Sequence, residues 1–423
     1  MWLSQLSLVN FRNFRRLRLE LRPGVLVFCG RNGQGKTNLL ESVYVLATTR
    51  SPRTSSEREL LSWQSPEDAD LAAVIAPFAR LEGRVRRLDG EVHLELTFEA
   101  ERPARNTASS DGAGPGQQAA LEGRLGTPLG PPPVTRGIKV NGLPTRATGL
   151  IGQLPVVYFS PADVALAGGP PAARRQYLNV ANSQVSGGYL RALQRYNRVL
   201  LQRNQALRQV RERRQPPAVL EPWTDQMLHW GAEVLRQRLR MLDDVDERVC
   251  GIFRDLAGTS EELHIAYRSS ACEVASHPEP PPDVAYLADC FRERQEHVAS
   301  REIDQAVSLV GPHRDDFAFL LDGVDLNTYG SRGQQRLAVL ALKLAEADWM
   351  HAQIGELPIV LLDDVLSELD PQRRGYVLQR VALPEPHEQR QVWITATDVG
   401  GFSSAFLEHA QRFEIDAGQV RRA

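Results

Sequence analysis

Short apolar runs bounded by glycine or by charge recur along this chain, and one long central stretch carries a helical period instead. Val25-Leu26-Val27-Phe28-Cys29 and Ile359-Val360-Leu361-Leu362 are unbroken apolar runs. Runs this short predict strands buried on both faces, as in a parallel sheet. Leu3 to Val9 alternates, and so do parts of residues 71–100, most clearly Glu91 to Phe98. Both predict half-buried strands. Ile138-Lys139-Val140-Asn141-Gly142, and Phe317 to Leu326 with its Asp322-Gly323 pair, predict hairpins. Order continues at Val156 to Pro161, Leu263 to Tyr267 is a further strand candidate, and the chain returns to sheet at Val392 to Asp398 and Arg412 to Ile415.

Between about residues 170 and 300 the period changes. Leu190, Leu193, Asn197, Leu200, Asn204 and Leu207 follow spacings of three and four, one seam of a helix. Met227, Trp230, Val234, Met241, Val245 and Val249 predict a second helix returning antiparallel, with Pro216, Pro217 and Pro222 marking the turn. Each arm is about 25–30 residues, or roughly 40 Å at 1.5 Å per residue. That length predicts a compact helical lobe and not a long tether. From about 102 to 135 the composition shifts to Ala, Gly, Pro, Ser and Gln. Such a segment buries too little apolar surface to offset chain entropy, so a disordered surface loop is expected there.

Chemistry enters with Gly30-Arg31-Asn32-Gly33-Gln34-Gly35-Lys36-Thr37, which matches the phosphate-binding loop GxxxxGK[ST]. It follows one predicted strand and precedes a predicted helix, Asn38 to Ala47. Glycines let backbone N–H groups turn around phosphates, and the helix N-terminus adds favourable partial charge. Lys36 is expected to neutralise β/γ oxygens and Thr37 to place its hydroxyl on Mg²⁺. The nucleotide-contacting set is then Gly30, Arg31, Asn32, Gly33, Gln34, Gly35, Lys36, Thr37 and Asn38. Far downstream, Ile359–Leu362 ends in Asp363-Asp364. Buried acids at a strand end are costly unless a cation or donors meet them. Asp363 is therefore expected in the metal shell, with Asp364 polarising the attacking water.

Ser331-Arg332-Gly333-Gln334-Gln335 opens a strongly apolar helix pattern, Leu337 to Leu344. This turn resembles the signature motif of ABC-type ATPases, in which one subunit's signature caps the γ-phosphate held by the other. The resemblance implies an α/β fold, an ABC-type P-loop ATPase head with an inserted helical lobe. Residues 1–165 and 306–423 would form the head and 166–305 the lobe. It also implies trans contacts from Ser331, Gly333, Gln334 and Gln335, with Ser367 and Asp370 in the D-loop and Thr397 at the switch. Many ABC ATPases have Glu where this chain has Asp364, and His near Thr397; both differences point to slow turnover.

Gly311-Pro312-His313-Arg314-Asp315-Asp316-Phe317, the opening Leu8 to Phe14, Asn32 to Glu41, Arg198 to Asn204, Ser331 to Arg336 and Leu361 to Asp370 together resemble the RecF family of bacterial recombination mediators. The likeness covers essentially the whole chain apart from the 102–135 stretch. It implies an ATP-dependent DNA-binding homodimer in recombinational repair and replication-fork recovery. The implied cofactors are ATP and Mg²⁺, and the implied partners RecR, RecO and gapped DNA with its single-strand/duplex junctions. An ABC transporter subunit and a Rad50-like DNA tether share the three motifs but give no account of the Gly311–Phe317 segment or of the short arms.

Composition narrows the partners. The net charge of −2 excludes a globally basic nucleic-acid binder, and arginine far outnumbers the three lysines, Lys36, Lys139 and Lys343. Phosphate contacts are therefore sought among Arg12, Arg15, Arg16, Arg84, Arg86, Arg87, Arg174, Arg175, Arg191, Arg195, Arg198 and Arg203. His313 has no paired nucleophile, which favours a structural role. Cys29, Cys250, Cys272 and Cys290 include no CxxC pair, so neither a zinc site nor a disulfide framework is expected. No apolar run approaches ~18 residues, and no signal peptide is evident. A protein of the reducing cytoplasm is expected.

Overall fold

The computed structural model describes residues 1–62, 78–100, 134–273, 281–382 and 390–423. Two six-stranded sheets sandwich the first helix. One is antiparallel, in the order β2-β1-β4-β5-β6-β7, from β1 (Trp2–Phe11), β2 (Phe14–Glu20), β4 (Phe78–Arg87), β5 (Gly90–Ala100), β6 (Val134–Val140) and β7 (Leu143–Pro144). The other runs β15-β14-β3-β13-β12-β8, from β3 (Gly24–Cys29), β8 (Val156–Phe159), β12 (Ile359–Asp363), β13 (Gln391–Ala396), β14 (Gln411–Asp416) and β15 (Gln419–Arg422). Its pairs are parallel except β14 with β15.

Both faces of this second sheet are covered, which is why its strands are apolar without alternation. Leu26, Phe28, Tyr158, Ile359, Leu361 and Trp393 face α1 (Lys36–Thr48) and the antiparallel sheet. Val25, Val27, Val157, Val360, Leu362 and Ile394 face the helical side. That side is built from α2 (Pro171–Val185), α3 (Gly187–Arg211), α4 (Glu221–Ala257), α5 (Val284–Gln305) and α6 (Arg332–Ile354), followed by α7 (Pro371–Ala382) and α8 (Ser404–His409). A small antiparallel sheet joins β9 (Leu263–Arg268) to β10 (Asp316–Leu321) and β11 (Val324–Asp325).

Most predicted elements are present, with differences. The first helical arm, α3, has 25 residues, but the second, α4, has 37 and exceeds the expected span. Strand β2 has no counterpart in the sequence reading. Of the segment expected to be a loop, residues 102–133 lie outside the described residues, while Val134 and Thr135 begin β6. Within the predicted strand region 71–100, residues 71–77 also lie outside. Both predicted hairpins form, with Asn141-Gly142 and Asp322-Gly323 in the left-handed conformation such turns require. The four cysteines are free thiols. Among the described residues no helix is long and apolar enough to cross a membrane.

Candidate nucleotide site

The loop from Gly30 to Lys36 leaves β3 and enters α1 through two left-handed glycines, Gly33 at φ 82° and Gly35 at φ 116°. Gly30 is required for a different reason: a Cβ there would lie 2.3 Å from the Ile415 carbonyl oxygen of β14. Lys36 is buried, and its Nζ donates to the carbonyls of Gly30 and Arg31, curling the loop around a cation. The loop is braced from outside. Asn13, in the β1–β2 turn, donates to the Gln34 carbonyl at 2.9 Å and accepts from Asn38 Nδ2 at 2.8 Å. Beside it Arg12 holds the fully buried Glu41 through two bonds of 3.0 and 2.8 Å. The opening Leu8–Phe14 motif is thus the buttress of the phosphate loop.

Asp363 meets Thr37 across an intervening strand. Thr37 Oγ1 donates to Asp363 Oδ1 at 3.1 Å, joining positions 326 residues apart. Thr395 on β13 donates to the same oxygen at 2.9 Å, and the Tyr158 hydroxyl donates to Oδ2 at 3.0 Å. Strand alternation explains the convergence. Asp363 continues the α1-facing series Ile359, Leu361, and Thr395 follows Trp393 on the same face. All lie at the carboxyl ends of parallel strands, where ligands of open α/β sheets bind. Burial pushes the Asp363 carboxyl above its usual range, and the donors Thr395, Thr37 and Tyr158 pull it back. Neither Thr395 nor Tyr158 was among the residues expected from sequence; the face-sharing with Trp393 would have found the first.

Asp364 adopts φ 55°, and its N–H donates to Thr395 Oγ1 at 2.8 Å. Its Oδ1 is buried without a hydrogen-bond partner in the protein. An orphaned carboxylate oxygen beside a phosphate loop is suited to accepting a proton-bearing ligand. Ser367 Oγ donates to the Asp364 carbonyl at 2.8 Å, and Asp370 accepts from the Arg373 N–H at 3.0 Å. Thr397 is exposed one residue beyond β13 and makes no hydrogen bond to either aspartate.

Ser331 caps α6 in a reciprocal box with Gln334: Ser331 Oγ accepts from the Gln334 N–H at 3.2 Å, and Gln334 Oε1 accepts from the Ser331 N–H at 3.0 Å. Gln335 Nε2 turns back to the Leu326 carbonyl at 2.8 Å. Ser331 and Gly333 are exposed, and among the described residues none of the signature group hydrogen-bonds the loop 30–38 of its own chain. An ion pair from Arg336 to Glu368 ties the signature helix to the segment after Asp364.

The Gly311–Phe317 segment knits the helical side to β9 and β10. The Ser308 carbonyl can only accept, so His313 Nε2 carries the proton toward it at 3.0 Å, and Nδ1 accepts from the Tyr196 hydroxyl at 2.6 Å. Burial lowers the His313 pKa and keeps the ring neutral. Asp315 accepts from the Ser270 N–H, Ser270 Oγ and the Tyr267 hydroxyl at 2.7, 2.7 and 2.8 Å. Asp316 takes Arg174 in two bonds of 2.6 and 2.8 Å. This segment ties α2, α3 and β9 together.

Several arginines sought as phosphate contacts are committed elsewhere. Arg12 and Arg174 are held as described, and Arg203 forms a fully buried pair with Glu302 at 2.6 Å. Arg84 and Arg86 pair with Glu91 at 3.7 and 2.8 Å, and Arg87 with Glu356 at 3.1 Å. Arg175 donates to the Asp315 carbonyl at 3.0 Å. Sequence could not distinguish Arg12, Arg87, Arg174 and Arg203 from solvated cations, because their acidic partners are distant in the chain.

Comparison with known proteins follows the same lines. An AAA-domain family profile matches residues 5–113. The chain is 39% identical to the DNA replication and repair protein RecF of Chloroflexus aurantiacus, across 99% of both chains, and 34% identical to that of Bacillus subtilis, across 99% of this chain and all of the other. The solved structure of the recombination mediator protein RecF with ATP, of the RecFOR pathway, superimposes with a TM-score of 0.80 at 27% identity, covering 100% of this chain and 97% of that one. An Smc head bound to the C-terminal winged-helix domain of ScpA shares the fold alone, with a TM-score of 0.50 at 12% identity, covering 100% of this chain and 97% of that one. The fold is that of the ABC-type and SMC-head ATPases, and the chain belongs to the RecF family of DNA replication and repair proteins.

Proposed function

We propose that this chain is an ATP-gated DNA-binding switch that acts in the cytoplasm, in recombinational repair and replication-fork recovery. The observation that carries the reading is the convergence of Thr37, Asp363 and Thr395 beside Lys36, in a chain of this family. The donor set suits the expected ligands. A threonine hydroxyl and a carboxylate are the hard oxygen donors Mg²⁺ favours, and left-handed glycines shape a phosphate cradle. Bound Mg²⁺ supplies charge neutralisation for the ATP oxygens.

Thr37 and Asp363 hold the metal, Lys36 the phosphate oxygens, and Asp364 orients the attacking water through its unpartnered oxygen. Two copies pair on ATP. Ser331, Gly333, Gln334 and Gln335 of one face the nucleotide of the other, with Ser367 and Asp370 in the seam and Thr397 as the switch. The head comprises residues 1–165 and 306–423, with 166–305 inserted. Turnover is slow, since Asp364 is one methylene shorter than a glutamate. The paired form binds gapped DNA at single-strand/duplex junctions and, with RecR and RecO, promotes recombinase loading there.

Sedimentation with and without ATP–Mg²⁺, in the presence of gapped duplex, tests this. ATP-dependent dimers that bind DNA, lost in Lys36→Ala, are expected. An ATP-bound monomer indifferent to DNA would sink the reading.

A further inference from the structure

Helix α3 has an unusual charge pattern. Its 25 residues contain six arginines and no aspartate or glutamate, in a chain whose net charge is −2. Arg203 turns inward to Glu302. Arg191, Arg195, Arg198 and Arg208 are exposed. With Leu201 and Gln205 they fall at spacings of four, three, three, four and three, a single outward ridge. From Arg191 to Arg208 the ridge runs roughly 26 Å at 1.5 Å per residue. Among the described residues none of these four guanidiniums has an ion-pair partner. The arginines of β4 differ, since Arg80, Arg84, Arg86 and Arg87 are all matched to acids.

The ridge suits a linear polyanion better than a protein. A protein partner is anchored by aromatic or aliphatic side chains in pockets, and the ridge offers one isolated leucine. Phosphate backbones ask only for a row of cations, and B-DNA presents one charge per about 1.7 Å of axis. The aromatic beneath, Trp230, lies under Arg195, whose guanidinium carbon is 4.6 Å from the ring centroid. It is therefore covered and offers no stacking platform to unpaired bases, which favours duplex over single strand. We propose that the outward ridge of α3 is a phosphate track that grips the backbone of duplex DNA without reading its sequence. The assignment rests on the DNA-binding reading above and gives it a location.

The test is fluorescence-anisotropy titration of a labelled duplex, with ATP–Mg²⁺ and across a range of salt. It compares the wild type with the triple variant Arg191→Gln, Arg198→Gln, Arg208→Gln and with the corresponding triple lysine variant. With about 0.9 counterion per phosphate contact, the glutamine variant should lose about 2.7 from the slope of log K against log salt. The lysine variant should keep its slope, and ATP-dependent pairing should be unchanged in both. A glutamine variant with wild-type affinity and slope would overturn the track while leaving DNA binding intact. Polyglutamate competing as well as duplex of equal charge would also overturn it, by reducing the ridge to a general polyanion patch. A wild type that ignores duplex at low salt would remove both this proposal and the DNA-binding reading.

Discussion

Tyr158 donates its phenolic proton to Asp363 Oδ2 at 3.0 Å, although the two residues belong to neighbouring strands 205 positions apart. The bond supports a carboxylate whose pKa burial has already raised. Tyr158→Phe removes one of the three opposing donors, so the pKa rises further. A metal site needs the ionised form, which is lost as pH falls through that pKa. The acid limb of Mg²⁺-dependent ATP hydrolysis should therefore move to higher pH in the variant. Stability runs the opposite way: with the folded pKa raised, ionisation of Asp363 weakens the fold as pH rises through it. The variant's deficit, about 1.5–3 kcal/mol for a charge-assisted bond, should be fullest near neutrality and shrink on acidification. Coincident acid limbs in the two proteins would show that Tyr158 does not tune the site.

Asp364→Asn separates fold from chemistry. Asparagine tolerates the left-handed conformation that Asp364 occupies, so the melting temperature should hold. Turnover should fall by about 10²–10⁴-fold, and ATP-bound dimers should accumulate on sedimentation. Undiminished phosphate release would rule Asp364 out as the water-positioning group.

At Ser331 an observed helix cap coincides with a proposed ligand contact. Ser331→Ala removes the capping oxygen of α6 and should cost about 1 kcal/mol in urea unfolding. Ser331→Asp keeps a good cap but sets a negative charge where a partner's γ-phosphate is proposed to approach. It should retain stability and ATP affinity while losing ATP-driven pairing. Normal pairing of the aspartate variant would remove the trans contact.

Arg203 belongs to the interior. Its partner Glu302 also accepts from Gln295 Nε2 at 3.2 Å and from the Leu309 N–H at 2.7 Å, and it is fully buried. Arg203→Met leaves that carboxylate unpaired and should cost about 3–5 kcal/mol, with ATP affinity unchanged in the folded fraction. A variant of normal stability but weakened duplex binding would return Arg203 to the surface role its sequence context suggested.

The local form of the three motifs was legible because each is short-range: glycine spacing before a helix, an apolar strand ending in acid, and a capped helix start are complete within a few residues. What escaped is what only long-range contact defines. Strand β2 was hidden because its turn lacks an Asn-Gly or Asp-Gly pair. Arg12 adopts φ 53° there, in a turn whose Arg12 and Asn13 are tied to Glu41 and Gln34. Thr395 and Tyr158 carry no motif of their own and acquire a role only through the Asp363 carboxylate. Surface and buried arginines look alike in sequence, and Arg203 and Arg198, five residues apart, ended on opposite sides of α3.

Strand β13 lies between the strand that leads into the phosphate loop and the strand that bears Asp363. Thr395 is synthesised long after Lys36. At ~5–20 residues per second, roughly 20–70 s separate them. Until residues 391–396 emerge and wedge into place, β3 and β12 lack the strand that sets their separation. The growing chain thus carries a phosphate loop long before it carries the Asp363 carboxylate and the Thr395 hydroxyl that complete the candidate site.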